Sequence, residues 1–172
     1  SVPTAGARTR RREEYMRLDQ IGAGCLDIPA EFAHFEISGL ECDSRRVKPG
    51  SLFVAIPGTK TDGRLHVEGA VRAGAVAVVA EGPESVSASG VPCFRVPDAR
   101  LALGRLAANF LGPHDSLRLT GVTGTKGKTT TTWVLDGILR RLGCTTALFG
   151  TIRHTIGGRI LPSGNTTPGC LE

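Results

Sequence analysis

The sequence predicts an α/β fold, in which a small α/β domain is followed by the beginning of a second domain built on a parallel sheet. Continuous β-branched runs that end at glycine or proline alternate with helical patterns, which is typical of parallel sheets. One apolar run leads into a glycine-rich loop that opens a helix, the usual context of a phosphate-binding loop. Apolar residues make up 40% and charged residues 22% of the 172 residues, which is ordinary globular usage.

The chain begins with a basic segment that we predict to be a disordered tail over residues 1–15. It lacks an apolar period, and through Arg17 five arginines face two glutamates. Most of the net charge of +5 therefore belongs to the first 17 residues, and the rest of the chain gives no indication of nucleic-acid binding. We expect the first domain to span residues 16–114 and the second to span 115–172.

The first domain shows strands and helices in alternation. Its predicted elements are an extended segment near 36–40, a buried strand at 51–56 stopped by Pro57-Gly58, a helix around 65–73 closed by Gly74, strands at 75–80 and 93–96, and a helix that Asp98 caps and Gly112 ends. The second domain is expected to contain a strand at 117–123, a helix at 128–142, a strand at 145–150 and a hairpin turning at 157–158. Such a parallel sheet is incomplete, so we expect the chain to stop partway through this domain, with Trp133 in its core.

The strongest chemical signal is the loop Gly121-Val122-Thr123-Gly124-Thr125-Lys126-Gly127-Lys128-Thr129-Thr130. Glycines let backbone N–H groups close around phosphate oxygens, and the following helix N-terminus favours the negative charge. Lys128 is expected to reach the β- and γ-phosphates, and the Thr129 hydroxyl to help hold Mg²⁺. The strict spacing GxxxxGK[ST] is not met, because Gly121 lies one position too far from Gly127.

Other signals exclude several classes of protein. No run approaches 18 apolar residues and no signal segment is visible, so we expect neither membrane spanning nor secretion. The five cysteines are odd in number and never form a CxxC pair, which favours buried free thiols in a cytoplasmic protein. Aromatic residues make up only 5%, too few for a stacking platform for single-stranded nucleic acid.

The loop GVTGTKGKTTT resembles that of the Mur ligases, the ATP-dependent enzymes that build the peptidoglycan stem peptide. Three further segments are similar to the family's N-terminal UDP-binding domain: CDSRRVKPGSLFVA at 42–55, GTKTDG at 58–63 and GAVAVV at 74–79. The segment NTTP at 165–168 resembles the substrate loop of the members that add the third peptide residue. The resemblance covers about residues 16–172 and implies a UDP-binding domain followed by a truncated, P-loop, ATP-binding domain.

The resemblance also implies which residues bind each substrate. For the UDP-muramoyl peptide these are Cys42, Ser44, Thr59, Lys60, Thr61, Asn165, Thr166 and Thr167. For ATP and its Mg²⁺ they are Gly124, Thr125, Lys126, Gly127, Lys128, Thr129 and Thr130, with Lys128 as the catalytic residue and Thr129 on the metal. Lys126 departs from the pattern, since the commonest form of the loop has asparagine there.

The implied reaction is peptide-bond formation by an ATP-dependent ligase. The D-glutamate carboxylate of UDP-N-acetylmuramoyl-L-alanyl-D-glutamate receives a phosphoryl group, and the amine of diaminopimelate or lysine attacks the acyl phosphate. The family's acidic Mg²⁺ ligands, carbamylated lysine and amino-acid-binding C-terminal domain come later than residue 172, so we expect this chain alone to be inactive. The alternatives are a non-catalytic UDP-muropeptide or nucleotide-binding module and the related ligase that adds D-Ala-D-Ala, which the NTTP segment disfavours. A folylpolyglutamate synthetase would share only the ATP loop.

Overall fold

The computed structural model describes residues 15–58, 62–82, 90–112, 116–161 and 171. The chain forms two compact units, Ser1–Pro113 and His114–Glu172. Except for Tyr15, the predicted tail lies outside the described residues. Since residues 113–115 also lie outside them, the boundary predicted between residues 114 and 115 stays a prediction.

The first unit has two sheets and three α-helices in its described part. Its elements are β1 (Met16–Arg17), α1 (Leu18–Ile21), β2 (Glu36–Ile37), β3 (Gly39–Glu41), β4 (Ser51–Ala55), a 3-10 helix (Gly63–His66), α2 (Val67–Arg72), β5 (Ala75–Glu81), β6 (Cys93–Val96) and α3 (Ala99–Leu111). Strands β1 and β2 pair antiparallel. The other four strands form one parallel sheet in the order β3-β4-β5-β6. The predicted α/β alternation is confirmed here.

The parallel sheet is covered on both faces, which explains its continuous apolar strands. On one face Phe53 and Val78 form a buried cluster with Val67 and Ala70 of α2. Because side chains alternate along a strand, the buried residues Leu52, Val54, Ala77 and Val79 face the other side. Helix α3 contacts β4 and β5, so it covers that second face.

Helix α3 begins and ends where the sequence predicts. The Asp98 carboxylate accepts a hydrogen bond from the Leu101 N–H at 2.9 Å and so caps the first turn. At the other end Gly112 has a φ of 83°, which favours glycine. The Asn109 amide donates to the carbonyl oxygens of Ile21 and Ala23, which ties α3 to the end of α1.

The second unit contains one helix and a small antiparallel sheet in its described residues. Its elements are α4 (Lys128–Arg141), β7 (Ala147–Leu148), β8 (His154–Ile156) and β9 (Arg159–Leu161). The hairpin between β8 and β9 turns at Gly157-Gly158, as predicted. Strand β7 pairs antiparallel with β8.

The strand predicted over residues 117–123 is absent from this unit, so that prediction was wrong. The segment has no pairing partner among the described residues, and Leu119 is 91% exposed. An apolar run becomes a strand only when a neighbouring strand satisfies its backbone N–H and C=O groups. Strand β7 was expected to pair in parallel with this segment, but it pairs antiparallel with β8 of the hairpin.

Two expectations about single residues were also wrong. Helix α4 has no buried residue, so Trp133 is not a core residue; the Arg153 guanidinium lies 4.3 Å from the centre of its half-buried ring. Among the described cysteines, Cys42 and Cys144 are exposed and Cys25 and Cys93 are half-buried, so the expected burial is not found. A thiol has too little apolar area to require full burial by itself.

None of the helices in the described part of the chain has the length and apolar character needed to span a bilayer.

Candidate functional site

The carboxyl ends of parallel strands β3 and β4 carry the first candidate site. Open parallel sheets bind ligands at this edge, because the turns that follow neighbouring strands lie side by side there. The turn after β3 contains Cys42 and Ser44, two of the residues predicted to contact the UDP moiety. The loop after β4 begins at Pro57 and returns at Asp62, and the two residues are joined by a β-bridge.

The turn after β3 is held by an aspartate and an arginine. One Asp43 carboxylate oxygen accepts hydrogen bonds from the Arg45 backbone N–H at 3.0 Å and from its Nε at 2.9 Å. The other oxygen accepts from the Arg45 Nη2 at 2.7 Å. The Arg46 N–H donates to the Asp43 carbonyl oxygen at 3.0 Å. Ser44 lies half-exposed between these contacts, and Cys42 is exposed.

The ionisation of this turn follows from the same contacts. Hydrogen bonds from Arg45 lower the pKa of Asp43 from 3.8 to about 2. At the last residue of β3, burial raises the pKa of Glu41, and the nearby Arg46 opposes that rise. The Arg46 Nε lies 3.8 Å from the Glu41 carboxylate. The edge therefore holds an ionised, arginine-paired Asp43 at neutral pH.

The end of the β4 loop is built in the same way. The Asp62 carboxylate accepts from the Arg64 N–H at 2.9 Å, from Nε at 2.8 Å and from Nη2 at 2.6 Å. These bonds lower the pKa of Asp62. Between them, Gly63 lies against strand β4: a Cβ there would be 2.6 Å from the Ile56 carbonyl oxygen. Only glycine permits this approach.

Part of the predicted UDP site cannot be placed. Thr59, Lys60 and Thr61 lie outside the described residues, and so do Asn165, Thr166 and Thr167. The loop that contains the first three is anchored at its start by α3, because the Arg100 guanidinium donates to the Pro57 carbonyl oxygen at 3.3 Å. Of the predicted UDP contacts, the structure brings Cys42 and Ser44 together on one turn.

The second candidate site is the glycine loop at the start of α4. Gly124 and Gly127 have φ values of 147° and 79°, which L side chains rarely adopt. Gly127 immediately precedes the helix, and no side chain caps the helix there. The Lys128 ammonium donates to the Gly124 carbonyl oxygen at 2.6 Å. Residues 124–128 and Thr130 are exposed, and Thr129 is half-buried.

This loop fits a nucleotide phosphate. An uncapped helix N-terminus leaves backbone N–H groups for an anion, and the helix dipole adds to the attraction. Lys126 and Lys128 supply positive charge from exposed positions. For Mg²⁺ the loop offers the Thr129 hydroxyl, and no cluster of His, Cys, Asp or Glu lies within the described residues. That donor set suits a cation that keeps several waters and phosphate oxygens as ligands.

Four residues at the first site were missed as functional candidates from the sequence: Asp43, Arg45, Asp62 and Arg64. A signal was available, because the sequence reads Asp-x-Arg within six residues of the end of each of two predicted strands, as Asp43-Ser44-Arg45 and Asp62-Gly63-Arg64. An aspartate readily accepts from a backbone N–H two residues on, and its charge suits an arginine at that position.

Family profiles match both units of the chain. The profile "Mur ligase family, catalytic domain" matches residues 36–111, and the profile "Mur ligase middle domain" matches residues 122–172. Each matched range contains one of the two candidate sites. The resemblance noted from the motifs is thereby confirmed across both units.

Curated relatives point to one branch of this family. Proteins named UDP-N-acetylmuramoyl-L-alanyl-D-glutamate--2,6-diaminopimelate ligase are 46% identical over 80% of this chain in Geobacter sulfurreducens and 49% identical over 79% in Geobacillus thermodenitrificans. The one from Aquifex aeolicus is 44% identical over 85% of the chain. The chain spans 27%, 27% and 30% of the lengths of these three relatives.

Solved structures show the same architecture. A structure named UDP-N-acetylmuramoyl-L-alanyl-D-glutamate--2,6-diaminopimelate ligase matches 87% of the chain with a TM-score of 0.67 and 25% identity, over 30% of its own length. A structure named UDP-N-acetylmuramoylalanyl-D-glutamyl-2,6-diaminopimelate--D-alanyl-D-alanyl ligase, from Acinetobacter baumannii, matches 78% of the chain with a TM-score of 0.54 and 30% identity, also over 30% of its length. The α/β fold class is thereby confirmed.

Proposed function

The chain belongs to the Mur ligase family, and we propose that it is the N-terminal part of an ATP-dependent ligase of peptidoglycan synthesis. The ligase adds a diamino acid, meso-diaminopimelate or L-lysine, to UDP-N-acetylmuramoyl-L-alanyl-D-glutamate. The observation that carries the proposal is that one chain, 46% identical to a ligase of that name, holds both the Ser44 turn at a sheet edge and a phosphate loop at a helix start. Free thiols in the described residues suit a cytoplasmic enzyme.

The first unit takes the UDP end of the substrate in this proposal. Short hydroxyls and backbone amides can approach an anionic diphosphate closely, and charge-assisted hydrogen bonds of this kind are strong. Ser44 lies half-exposed on a fixed turn, and Cys42 lies exposed two positions before it. Thr59, Lys60 and Thr61 are proposed for the uracil, and Asn165, Thr166 and Thr167 for the muramoyl-peptide portion.

The second unit holds ATP in this proposal, through residues 124–130. Lys128 and the free N–H groups at the start of α4 orient the phosphates, and Lys128 stabilises negative charge on the γ-phosphate as it is transferred. The Thr129 hydroxyl holds Mg²⁺, which supplies further charge neutralisation when it is bound. A carboxylate is a poor acyl donor. Once the D-glutamate carboxylate is phosphorylated, the amine of the diamino acid can attack its carbonyl carbon and displace phosphate.

The proposal is tested by phosphate release and peptide formation with a chain extended to the full length of its relatives. We expect phosphate release that needs both the UDP-muramoyl dipeptide and a diamino acid. Dependence on D-Ala-D-Ala and a tripeptide substrate instead would identify the related ligase. Binding of the UDP ligand without any phosphate release would identify a non-catalytic binding module.

A further inference from the structure

The carboxyl edge of the parallel sheet carries the same hydrogen-bonded arrangement twice. After β3, Asp43 accepts from the backbone N–H and from both guanidinium donors of Arg45, at 2.7–3.0 Å. After β4, Asp62 accepts from the same three donors of Arg64, at 2.6–2.9 Å. Strands β3 and β4 are hydrogen-bonded neighbours, so the two turns follow adjacent strands. We call these two arrangements the Asp-x-Arg clamps.

Each clamp fixes a turn without using the residue in its middle. In the first clamp the bonds come from Asp43 and Arg45, so the Ser44 hydroxyl is outside the clamp. In the second, the middle residue Gly63 is held against the backbone of β4 and its N–H donates to the Ile56 carbonyl oxygen at 3.1 Å. The clamps therefore define backbone geometry at the edge where the UDP end is proposed to bind.

The ion pairs of the clamps contribute little to folding. The side chain of Arg45 is 86% exposed, and those of Asp43, Asp62 and Arg64 are 30–34% exposed. Exposed ion pairs add little to stability because water and salt screen them. Three short bonds to one arginine, repeated at two adjacent strand ends, are better explained by a need for a fixed turn.

We propose that Asp43 and Asp62 are positioning residues for the UDP end of the substrate: each holds its turn in the binding conformation before the ligand arrives. This inference rests on the proposed function. Preorganisation of this kind strengthens binding, because less conformational freedom is lost when the ligand binds. Each aspartate also neutralises its arginine, so a carboxylate beside an anionic diphosphate causes little repulsion.

Charge and positioning predict opposite signs for the same substitution. Asp43→Ala removes a negative charge and leaves the Arg45 cation unpaired, which by charge alone would tighten the binding of UDP. If Asp43 instead positions the turn, the same substitution weakens binding. Asp62→Ala likewise removes a negative charge, so charge alone predicts tighter binding and positioning predicts weaker binding. The direction of the change in Kd therefore separates the two explanations.

The experiment is calorimetric titration of UDP into the 172-residue chain and its variants. We expect Asp43→Ala and Asp62→Ala each to raise Kd by about tenfold. Asp43→Asn should give an intermediate value, since its side-chain oxygen still accepts from the Arg45 N–H. Asp19→Ala is the matched control: Arg17 donates to Asp19 at 3.1 and 2.6 Å in another exposed pair two residues apart, but on β1 and α1.

Every outcome decides the inference. Weaker binding in the folded clamp variants, with an unchanged Kd for Asp19→Ala, supports it. Equal or tighter binding in the clamp variants overturns it and leaves the proposed function intact. If an alanine variant fails to fold, the folded Asp43→Asn variant is used instead: a higher Kd for UDP supports the inference, and an equal or lower Kd overturns it. If the unsubstituted chain does not bind UDP, the proposed function of this edge fails, and the inference fails with it.

Discussion

The Lys128 ammonium donates a hydrogen bond to the carbonyl oxygen of Gly124 at 2.6 Å, from the first residue of α4 back across the glycine loop. This bond closes the loop on itself and uses the cation that is proposed to meet the phosphates of ATP. The ammonium has two further N–H donors, so Lys128 can keep this bond while it donates to a phosphate oxygen. The loop belongs to the second unit, whereas Ser44 belongs to the first.

We predict that the two sites act on different ligands. Lys128→Ala should leave the Kd for UDP-muramoyl dipeptide within about twofold, because Lys128 is proposed to contact the phosphates of ATP and is not among the residues proposed for this ligand. The 172-residue chain should bind this ligand more weakly than the full-length enzyme does, and should bind ATP little or not at all. The apolar residues Leu119 and Ile138, 91% and 51% exposed, show that the second unit lacks neighbours in its described part. Calorimetry with each ligand measures both values, and loss of UDP-ligand binding in Lys128→Ala would contradict the assignment.

Ser44→Ala should weaken binding of the UDP ligand by about three- to tenfold, the usual net loss for one hydrogen bond. The hydroxyl lies outside the Asp43–Arg45 contacts, so the turn itself should persist. Titration of the ligand into both chains gives the ratio of the two Kd values. The hydroxyl is not a ligand contact if the variant binds as tightly as the parent.

Gly63→Ala should lower the free energy of unfolding by about 1–3 kcal/mol, because the new methyl group would lie 2.6 Å from the carbonyl oxygen of Ile56, the residue that follows β4. Gly104→Ala is the matched control at an exposed position of helix α3, where nothing lies within 4 Å of the added Cβ. That control should raise stability by about 0.5–1 kcal/mol. Urea unfolding of both variants checks the signs, and a neutral Gly63→Ala would show that β4 can move aside.

Asp98→Ala should lower stability by about 1 kcal/mol, since the carboxylate caps α3 through the Leu101 N–H. Asp98→Ser keeps a hydroxyl oxygen that can accept the same hydrogen bond and should recover most of the loss. The comparison by thermal unfolding separates the cap from the charge. Equal losses in both variants would point to the charge at the helix N-terminus instead.

The Asp43 carboxyl should titrate with a pKa of about 2, below its ordinary value of 3.8. A lowered folded-state pKa means that the clamp's contribution to stability is complete above the unfolded pKa and is lost as pH falls from about 4 towards 2. In Arg45→Ala the pKa should return towards 3.8. NMR titration of the carboxyl carbon measures both values, and an unchanged pKa in the variant would exclude Arg45 as the cause.

The sequence alone was sufficient to predict those elements that depend on their own residues or on residues close to them in the chain. The buried run Ala75–Glu81 became a strand between two parallel neighbours, and Asp98 and Gly112 set the ends of α3. The glycine loop and the family motifs identified both candidate sites, because phosphate binding requires glycine, lysine and threonine in a fixed local order. These signals depend on local backbone geometry and on burial, which a sequence pattern expresses directly.

Only the tertiary structure decided features that depend on distant partners. Residues 117–123 have the composition of a strand, yet no neighbour in the described residues pairs with them, and Trp133 packs under Arg153 instead of in a core. The clamps of Asp43 and Asp62 are separated in sequence, and the pairing of β3 with β4 places their two turns at one edge of the sheet. The reason is that a hydrogen bond or a buried contact needs a partner at a defined distance. A sequence pattern identifies a group that needs a hydrogen-bond or packing partner, but only the tertiary structure shows which residue is that partner.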